Sequence, residues 1–357
     1  MRITFISPFA SLAGGVRVKA IYAAYLQARG HDVKVISLPG KKRTIKTRIK
    51  AALGLVTRRH VRPPTPLLDV LGENHIILDH NGPVTATDVP DGDVVIATFW
   101  ETADWVAALP ASKGRKFYLL QDYETFKKGK FDAVGATYQL PLQKIAVSEY
   151  IAQMLAENHG IEDVTVVPNS VDCEQFNAPL RQKGKDLTVG FLYTSKPRKN
   201  IRLAIDVLKQ ARQTIPGLRA VAFGSIPPRE TPALPDWIRY YQTPLQSQIP
   251  EIYAACDIWL FTSLHEGFGL PVLEAMACGT PVLATSAGAA PQIVNGRNGL
   301  LLAPRADVFV AALKSVAEMS PKDWRAMSDA ARETARAYSW DDATDRLLQC
   351  LRQEIAA

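Results

Sequence analysis

Apolar residues along this chain recur in two rhythms. Short runs of four to six alternate or cluster, and between them longer stretches return an apolar residue every three or four positions. The run Arg2–Ser7 reads as a strand, Val16–Arg29 has helical spacing, and Gly30-His-Asp32 turns the chain into a second strand at Val33–Ile36. The loop between, SPFASLAGG, ends in two glycines. Strand, loop, helix, strand is the opening of a doubly wound α/β fold. Further strands are predicted at His75–Leu78, Val94–Thr98, Lys116–Leu120 and Lys144–Val147. The pattern then restarts, with a strand at Leu187–Leu192, a helix over Asn200–Gln213 and a strand at Arg219–Phe223. The polar, Pro- and Gly-bearing stretch Ala178–Asp186 separates the halves and is the expected hinge. The expected architecture is two Rossmann-like domains facing a central cleft, residues 1–180 and 187–339.

The most informative stretch begins at His265 and reads HEGFGLPVLEAMACGTPV. Asp257–Phe261 before it and Pro281–Ala284 after it read as buried strands. Between them, Pro271 suits the first turn of a helix, and Gly279 followed by Pro281 suits its end. The N–H groups of Gly267, Phe268, Gly269 and Leu270 then lie at the positive end of a helix dipole, outside the carboxyl end of a strand, which is an anion site. Glu266 stands before the turn and Glu274 one turn inside the helix. Two acceptors beside a phosphate site suit the hydroxyls of a nucleoside diphosphate sugar.

This string resembles the Glu-x7-Glu signature of retaining glycosyltransferases of the GT-B fold, in particular glycosyltransferase family 4. The resemblance runs over nearly the whole chain. It implies that Glu266 lies near the donor sugar, that Glu274 binds the donor ribose, and that Phe268, Gly269 and Leu270 donate to the diphosphate. Gly14 and Gly15, in GGVRVKAIYAAYLQARGHDVKVI, are similar to the family's first motif, whose glycines sit near the diphosphate. There is no full Gly-x-Gly-x-x-Gly, which counts against a dinucleotide fold. The loop Thr194-Ser-Lys-Pro-Arg-Lys-Asn200 supplies Lys199, at the position of the family's diphosphate-neutralising lysine, and Arg198 beside it. The family's upstream arginine has no counterpart, since Phe191 or Tyr193 stands about where it belongs. Val166-Val-Pro-Asn-Ser-Val-Asp172 resembles another family segment, with Asn169 in a structural role. Gln121-Asp-Tyr-Glu124 is similar to a rhamnosyltransferase-like branch, where Asp122 and Glu124 face the acceptor. The family also ends in a motif like Tyr338-Ser-Trp340 and a helix that returns to the first domain, so 340–357 is expected to pack there. Helical spacing alone fits a simple end cap equally well.

Composition narrows the picture. Hydrophobic residues at 47% and charged residues at 22% match a soluble globular protein, and no apolar run is long enough to span a membrane. Four scattered cysteines without a Cys-x-x-Cys pair argue against a disulfide or zinc framework and fit a reducing cytoplasm. The start, MRITFISPFA, suits a first strand better than a secretory signal. The net charge of +7 is local: residues 41–62 hold nine Lys or Arg and no acid, and the remainder is 7 − 9 = −2. In that segment Ile45, Ile49, Ala52, Leu53 and Val56 share one helical face, flanked by Lys46, Arg48 and Lys50. Such a stretch is either a solvated loop or a surface helix on anionic lipid, with Lys42, Arg43, Lys46, Ile49, Lys50 and Leu53 as membrane contacts. No aromatic interleaves the cations, which argues against nucleic acid.

The expected function is transfer of a hexosyl group, with retention, from a nucleoside diphosphate sugar to a saccharide or lipid-linked acceptor, on the cytoplasmic face of a membrane and without a metal or other cofactor. A nucleotide-sugar epimerase of the same fold and a non-catalytic nucleotide-sugar-binding protein remain as alternatives.

Overall fold

The computed structural model describes residues 1–8, 14–39, 66–124, 129–229 and 232–356. The basic segment 41–62, and with it Lys42, Arg43, Lys46, Ile49, Lys50 and Leu53, lies outside the described residues. The chain forms two compact units. The first comprises Met1–Val147, Ala152–Val167 and Thr344–Ala357, the second Ser148–Ile151 and Pro168–Ala343.

In the first unit the strands are β1 (Arg2–Ser7), β2 (Asp32–Ser37), β3 (His75–Ile77), β4 (Val94–Ala97), β5 (Arg115–Leu120), β6 (Gln143–Ala146) and β7 (Val164–Val166). They pair in the order β3-β2-β1-β4-β5-β6-β7, every pair parallel. Helices α1 (Gly14–Ala28), α2 (Pro66–Asp69), α3 (Trp100–Ala108), α4 (Phe131–Tyr138) and α5 (Glu149–His159) connect them. The central strands are apolar on both faces, as a sheet covered by helices on each side requires: Val94, Val95, Ile96 and Ala97 are all fully buried. The order reverses direction between β1 and β4, which makes their carboxyl ends the switch point of this sheet.

The second unit repeats the plan with six strands: β8 (Thr188–Leu192), β9 (Arg219–Gly224), β10 (Arg239–Gln242), β11 (Ile258–Phe261), β12 (Val282–Ala284) and β13 (Gly299–Leu301). Their order is β10-β9-β8-β11-β12-β13, again all parallel, with the switch point between β8 and β11. Its helices are α6 (Ile201–Arg212), α7 (Ile249–Ala254), α8 (Leu270–Ala277), α9 (Ala290–Ile293), α10 (Ala306–Glu318) and α11 (Pro321–Arg336). The last helix, α12 (Trp340–Ala356), begins in this unit, and its residues from Thr344 onward belong to the first. There Asp345 pairs with Arg29 at 3.0 Å and Glu354 with Arg115 at 3.2 Å. No helix among the described residues is long and apolar enough to cross a membrane.

The stretch read as a hinge packs within the second unit. Arg181 bonds the Cys256 carbonyl, pairs with Asp257 at 3.3 Å, and lies over the Trp324 ring at 4.6 Å. Lys183 donates to the carbonyls of Ala317 and Met319. Arg181 and Lys183 are thus held internally while Gln182 and Lys185 between and beside them are exposed, and the first unit's contacts give way to the second's between Val167 and Pro168.

Candidate functional site

Three segments build the site in the second unit, all at carboxyl ends of strands flanking its switch point. After β8 the chain makes a single turn of 3-10 helix, Pro197–Lys199, and Asn200 takes a left-handed conformation (φ 48°) before α6. Asparagine tolerates that conformation better than other residues with a Cβ. After β11, the Thr262 hydroxyl reaches the carbonyls of Lys199 and Asn200, both at 3.2 Å, and the Leu264 N–H donates to the Arg198 carbonyl at 2.7 Å. These bonds tie the two loops together across the switch point.

Lys199 and Glu266 therefore meet. Glu266, 5% exposed, accepts from the Lys199 ammonium and from the Ser263 hydroxyl at 2.6 Å, and Arg198 stands 3.6 Å from its second oxygen. Arg198 also reaches the His265 carbonyl at 3.4 Å. Phe191 and Tyr193 are buried core residues, and among the described residues the ion pairs at this carboxylate come from Lys199 and Arg198.

The third segment is the turn into α8. Gly269 is left-handed (φ 97°), and a Cβ there would lie 2.8 Å from the Phe261 ring. The helix starts at Leu270, which puts Pro271 at its second position, where an N–H has no intrahelical partner to lose. Among the described residues, no bond from the N–H groups of Gly267, Phe268, Gly269 or Leu270 to a turn or loop carbonyl is seen. The carbonyls on the other side of the turn are committed: that of Phe268 accepts from Ala289 N–H at 2.8 Å, and that of Gly267 from the Ser148 hydroxyl. The turn thus presents N–H donors with its carbonyls held away, the polarity an anion requires. Glu274, 6% exposed, accepts from the Tyr253 hydroxyl at 2.9 Å, which orients its carboxylate.

Gly288 closes this cradle from behind. It is left-handed (φ 58°), and a Cβ would stand 2.6 Å from the Phe268 oxygen and 2.8 Å from the Glu266 Cβ. Gly288→Ala is expected to lower stability by about 1–3 kcal/mol, since it adds backbone strain to a collision. A thermal melt coincident with that of the unmodified protein would show that the contact relaxes freely.

The remaining expected residues lie in the first unit. Gly14 and Gly15 open α1, and a Cβ on Gly15 would touch Gln121 Cβ at 3.5 Å, ordinary contact. Asp122 is half-buried in the turn after β5. Glu124 was expected to face an acceptor, but it is turned inward at 4% exposure, where it accepts from the Trp100 N–H at 2.7 Å and from the Tyr118 hydroxyl at 3.4 Å. Its charge serves the first orphan N–H of α3. Asn169 is buried, and Asp172 beside it caps its own turn through Glu174 N–H and Gln175 N–H, both 2.9 Å.

Ser263, Tyr253 and Gly288 escaped the sequence reading. Ser263 was detectable, standing three residues before Glu266 as a short polar partner would. Nothing in the sequence marks Tyr253 or Gly288. Residues 223–225 and 240–243 sit at the carboxyl ends of neighbouring β9 and β10, where Thr243 N–H bonds the Gly224 carbonyl at 2.6 Å.

Two all-parallel Rossmann-like sheets, with an anion cradle and paired acids at a switch point, define an α/β protein of the GT-B type. Residues 186–319 match the family model described as Glycosyl transferases group 1. Among curated proteins it is similar to O-antigen chain mannosyltransferase B of Escherichia coli, 31% identical over 183 residues, covering 47% of this chain and 46% of that one. It is also similar to D-inositol 3-phosphate glycosyltransferase of Mycobacterium marinum, 31% identical over 216 residues, covering 54% and 45%. The chain thus spans about half the length of the curated relatives it matches. Two solved structures share its fold. Anabaena HepE in complex with UDP and glucose superposes with a TM-score of 0.73 at 17% identity, covering 99% of this chain and 100% of that one. Sucrose-phosphate synthase from Thermosynechococcus elongatus gives 0.74 at 17%, covering 100% and 99%.

Proposed function

We propose that this protein is a retaining glycosyltransferase that moves a hexosyl group from a nucleoside diphosphate sugar to a saccharide or lipid-linked saccharide. The observation that carries this reading is the meeting of Lys199 and Glu266 beside the N–H groups that open α8. A diphosphate on those N–H groups takes Lys199 as its counter-ion, and Glu274 lies one turn further on for the ribose hydroxyls. The sugar then falls next to Glu266. The bond from the anomeric carbon to the leaving phosphate oxygen breaks, and a bond to the acceptor oxygen forms on the same face. The acceptor proton passes to the departing phosphate. Negative charge grows on the diphosphate in that step, and the preorganised N–H donors and ammonium stabilise it there, as catalysis by differential binding requires. The relatives named as glycosyltransferases and the UDP held by the HepE structure support this reading.

The leaving charge is met by side chains and N–H groups, so activity should persist in chelator. The basic segment 41–62 belongs to the same reading as a contact with anionic lipid on the cytoplasmic face of a membrane. The test is a thermal-shift screen of nucleotide sugars, since a bound donor raises stability by mass action, followed by transfer assays and NMR of the product anomer. One donor should stabilise the protein strongly and its anomeric configuration should survive transfer. Donor turnover without any acceptor would instead favour an epimerase, and tight donor binding without turnover a binding protein.

A further inference from the structure

The first unit has a switch point of its own, and it holds a lysine that the reaction described above does not use. Lys19 points inward from α1 and is 3% exposed. Its ammonium donates to the Ser7 hydroxyl at 2.8 Å, at the end of β1, and to the Thr98 hydroxyl at 3.1 Å, just beyond β4. Those are the two strands between which the order reverses. Glu124, after β5, supplies the nearby negative charge. Two strand ends are thus gathered by one cation, with the charge of Glu124 nearby. Each is fixed further: Thr98 donates to the Ile6 carbonyl at 2.7 Å, Thr102 receives the N–H groups of Thr98 and Phe99 at 3.0 Å each, and Glu124 holds the start of α3.

A buried lysine is an expensive way to join strand ends, because burial disfavours its charge. Here burial pushes the Lys19 ammonium down to about 7, with Glu124 pulling in the opposite direction. Apolar side chains fill such a place with greater stability. In open α/β sheets, ligands bind in the crevice outside the carboxyl ends of the strands at the switch point. In the second unit that place carries the diphosphate cradle, and a transferase needs a second substrate. We infer that Lys19 is a positioning residue for a hydroxyl-bearing acceptor, fixing through Ser7 and Thr98, with Glu124 as its counter-charge, the described strand ends at the first unit's switch point. This rests on the glycosyltransferase reading.

Removing Lys19 alone would strand the Glu124 carboxylate, so the informative variant is Lys19→Met combined with Glu124→Gln, which removes both charges at nearly constant volume. It should melt at or above the temperature of the unmodified protein and bind UDP equally well. With the donor selected by thermal shift and a panel of p-nitrophenyl glycosides and D-inositol 3-phosphate as acceptors, KM for the acceptor should rise about 10- to 100-fold, the loss expected from slight misplacement, while KM for the donor stays within about twofold. Hydrogen exchange should quicken in peptides covering residues 98–102 and 121–124. An unchanged acceptor KM, or an equal loss on the donor side, overturns the inference. If the unmodified protein transfers to no acceptor, the transferase reading itself fails. The exchange measurement needs no substrate, and unchanged protection there overturns the role of Lys19 on its own.

Discussion

Lys199→Met should weaken UDP binding by about 10- to 100-fold, and Glu266→Gln should strengthen it while lowering transfer by about 100-fold or more. The opposite signs follow from one contact. The Lys199 ammonium is held by Glu266, which Ser263 and Arg198 also flank. A diphosphate competes with that carboxylate for the same cation. Removing the cation deprives the phosphates of a charge-assisted partner in a buried setting, where such bonds are strongest. Removing the carboxylate's charge releases the cation and lifts a repulsion on the incoming anion, so the nucleotide gains. On the proposed function turnover should fall nevertheless, because Glu266 would no longer offer negative charge to the anomeric centre as the sugar acquires positive charge. Calorimetric titration with UDP separates the two effects from activity. Glu266→Gln with both UDP affinity and turnover unaltered would remove Glu266 from the site.

Asp257→Ala should destabilise the second unit by about 3–5 kcal/mol. Asp257, at the start of β11, is almost fully buried. One oxygen accepts the Gly184 N–H at 2.9 Å and faces Arg181 at 3.3 Å, and the other accepts the Thr188 N–H at 2.8 Å. The Asp257 carbonyl takes the Trp324 indole N–H at 2.9 Å. Alanine leaves the half-buried Arg181 without its counter-charge and two N–H groups without acceptors. Asp257→Asn keeps the shape and an acceptor, so it should lose roughly half as much. Urea denaturation followed by tryptophan fluorescence reads this directly. A loss in Asp257→Ala below about 0.5 kcal/mol, the size of ordinary surface substitutions, would mean the cluster is incidental.

Much of this fold was visible in the chain because its central strands are buried on both faces. Such strands read as unbroken apolar runs, and β1, β4, β5, β8, β11 and β12 lie within two residues of the expected positions. The strands that escaped notice, β7, β10 and β13, are edge strands of three or four residues. An edge strand is covered on fewer sides, so selection for apolar residues there is weak, as Arg239-Tyr-Tyr-Gln242 illustrates. The cradle was legible because each of its parts needs a particular residue at a particular step: a left-handed Gly269, a proline in the first helical turn, an acid on either side. What supports it was hidden. Gly288 lies some twenty residues beyond Glu266 and matters only because β12 returns the chain behind the turn. Glu124 misled for a related reason, since a carboxylate in a polar turn looks solvent-facing until the N-terminus of α3 is seen to need it. The hinge at 178–186 looked like a linker because Arg181 and Lys183 are charged, yet both are used internally.

The most direct measurement is a crystal structure of this protein with UDP. The β-phosphate should lie within about 3 Å of the N–H groups at Gly269 and Leu270 and of the Lys199 ammonium, with the ribose hydroxyls on Glu274 and the bond between Lys199 and Glu266 broken or shared. UDP lodged elsewhere, with that bond intact and Glu274 still bonded to Tyr253 and not to the ribose, would contradict the account.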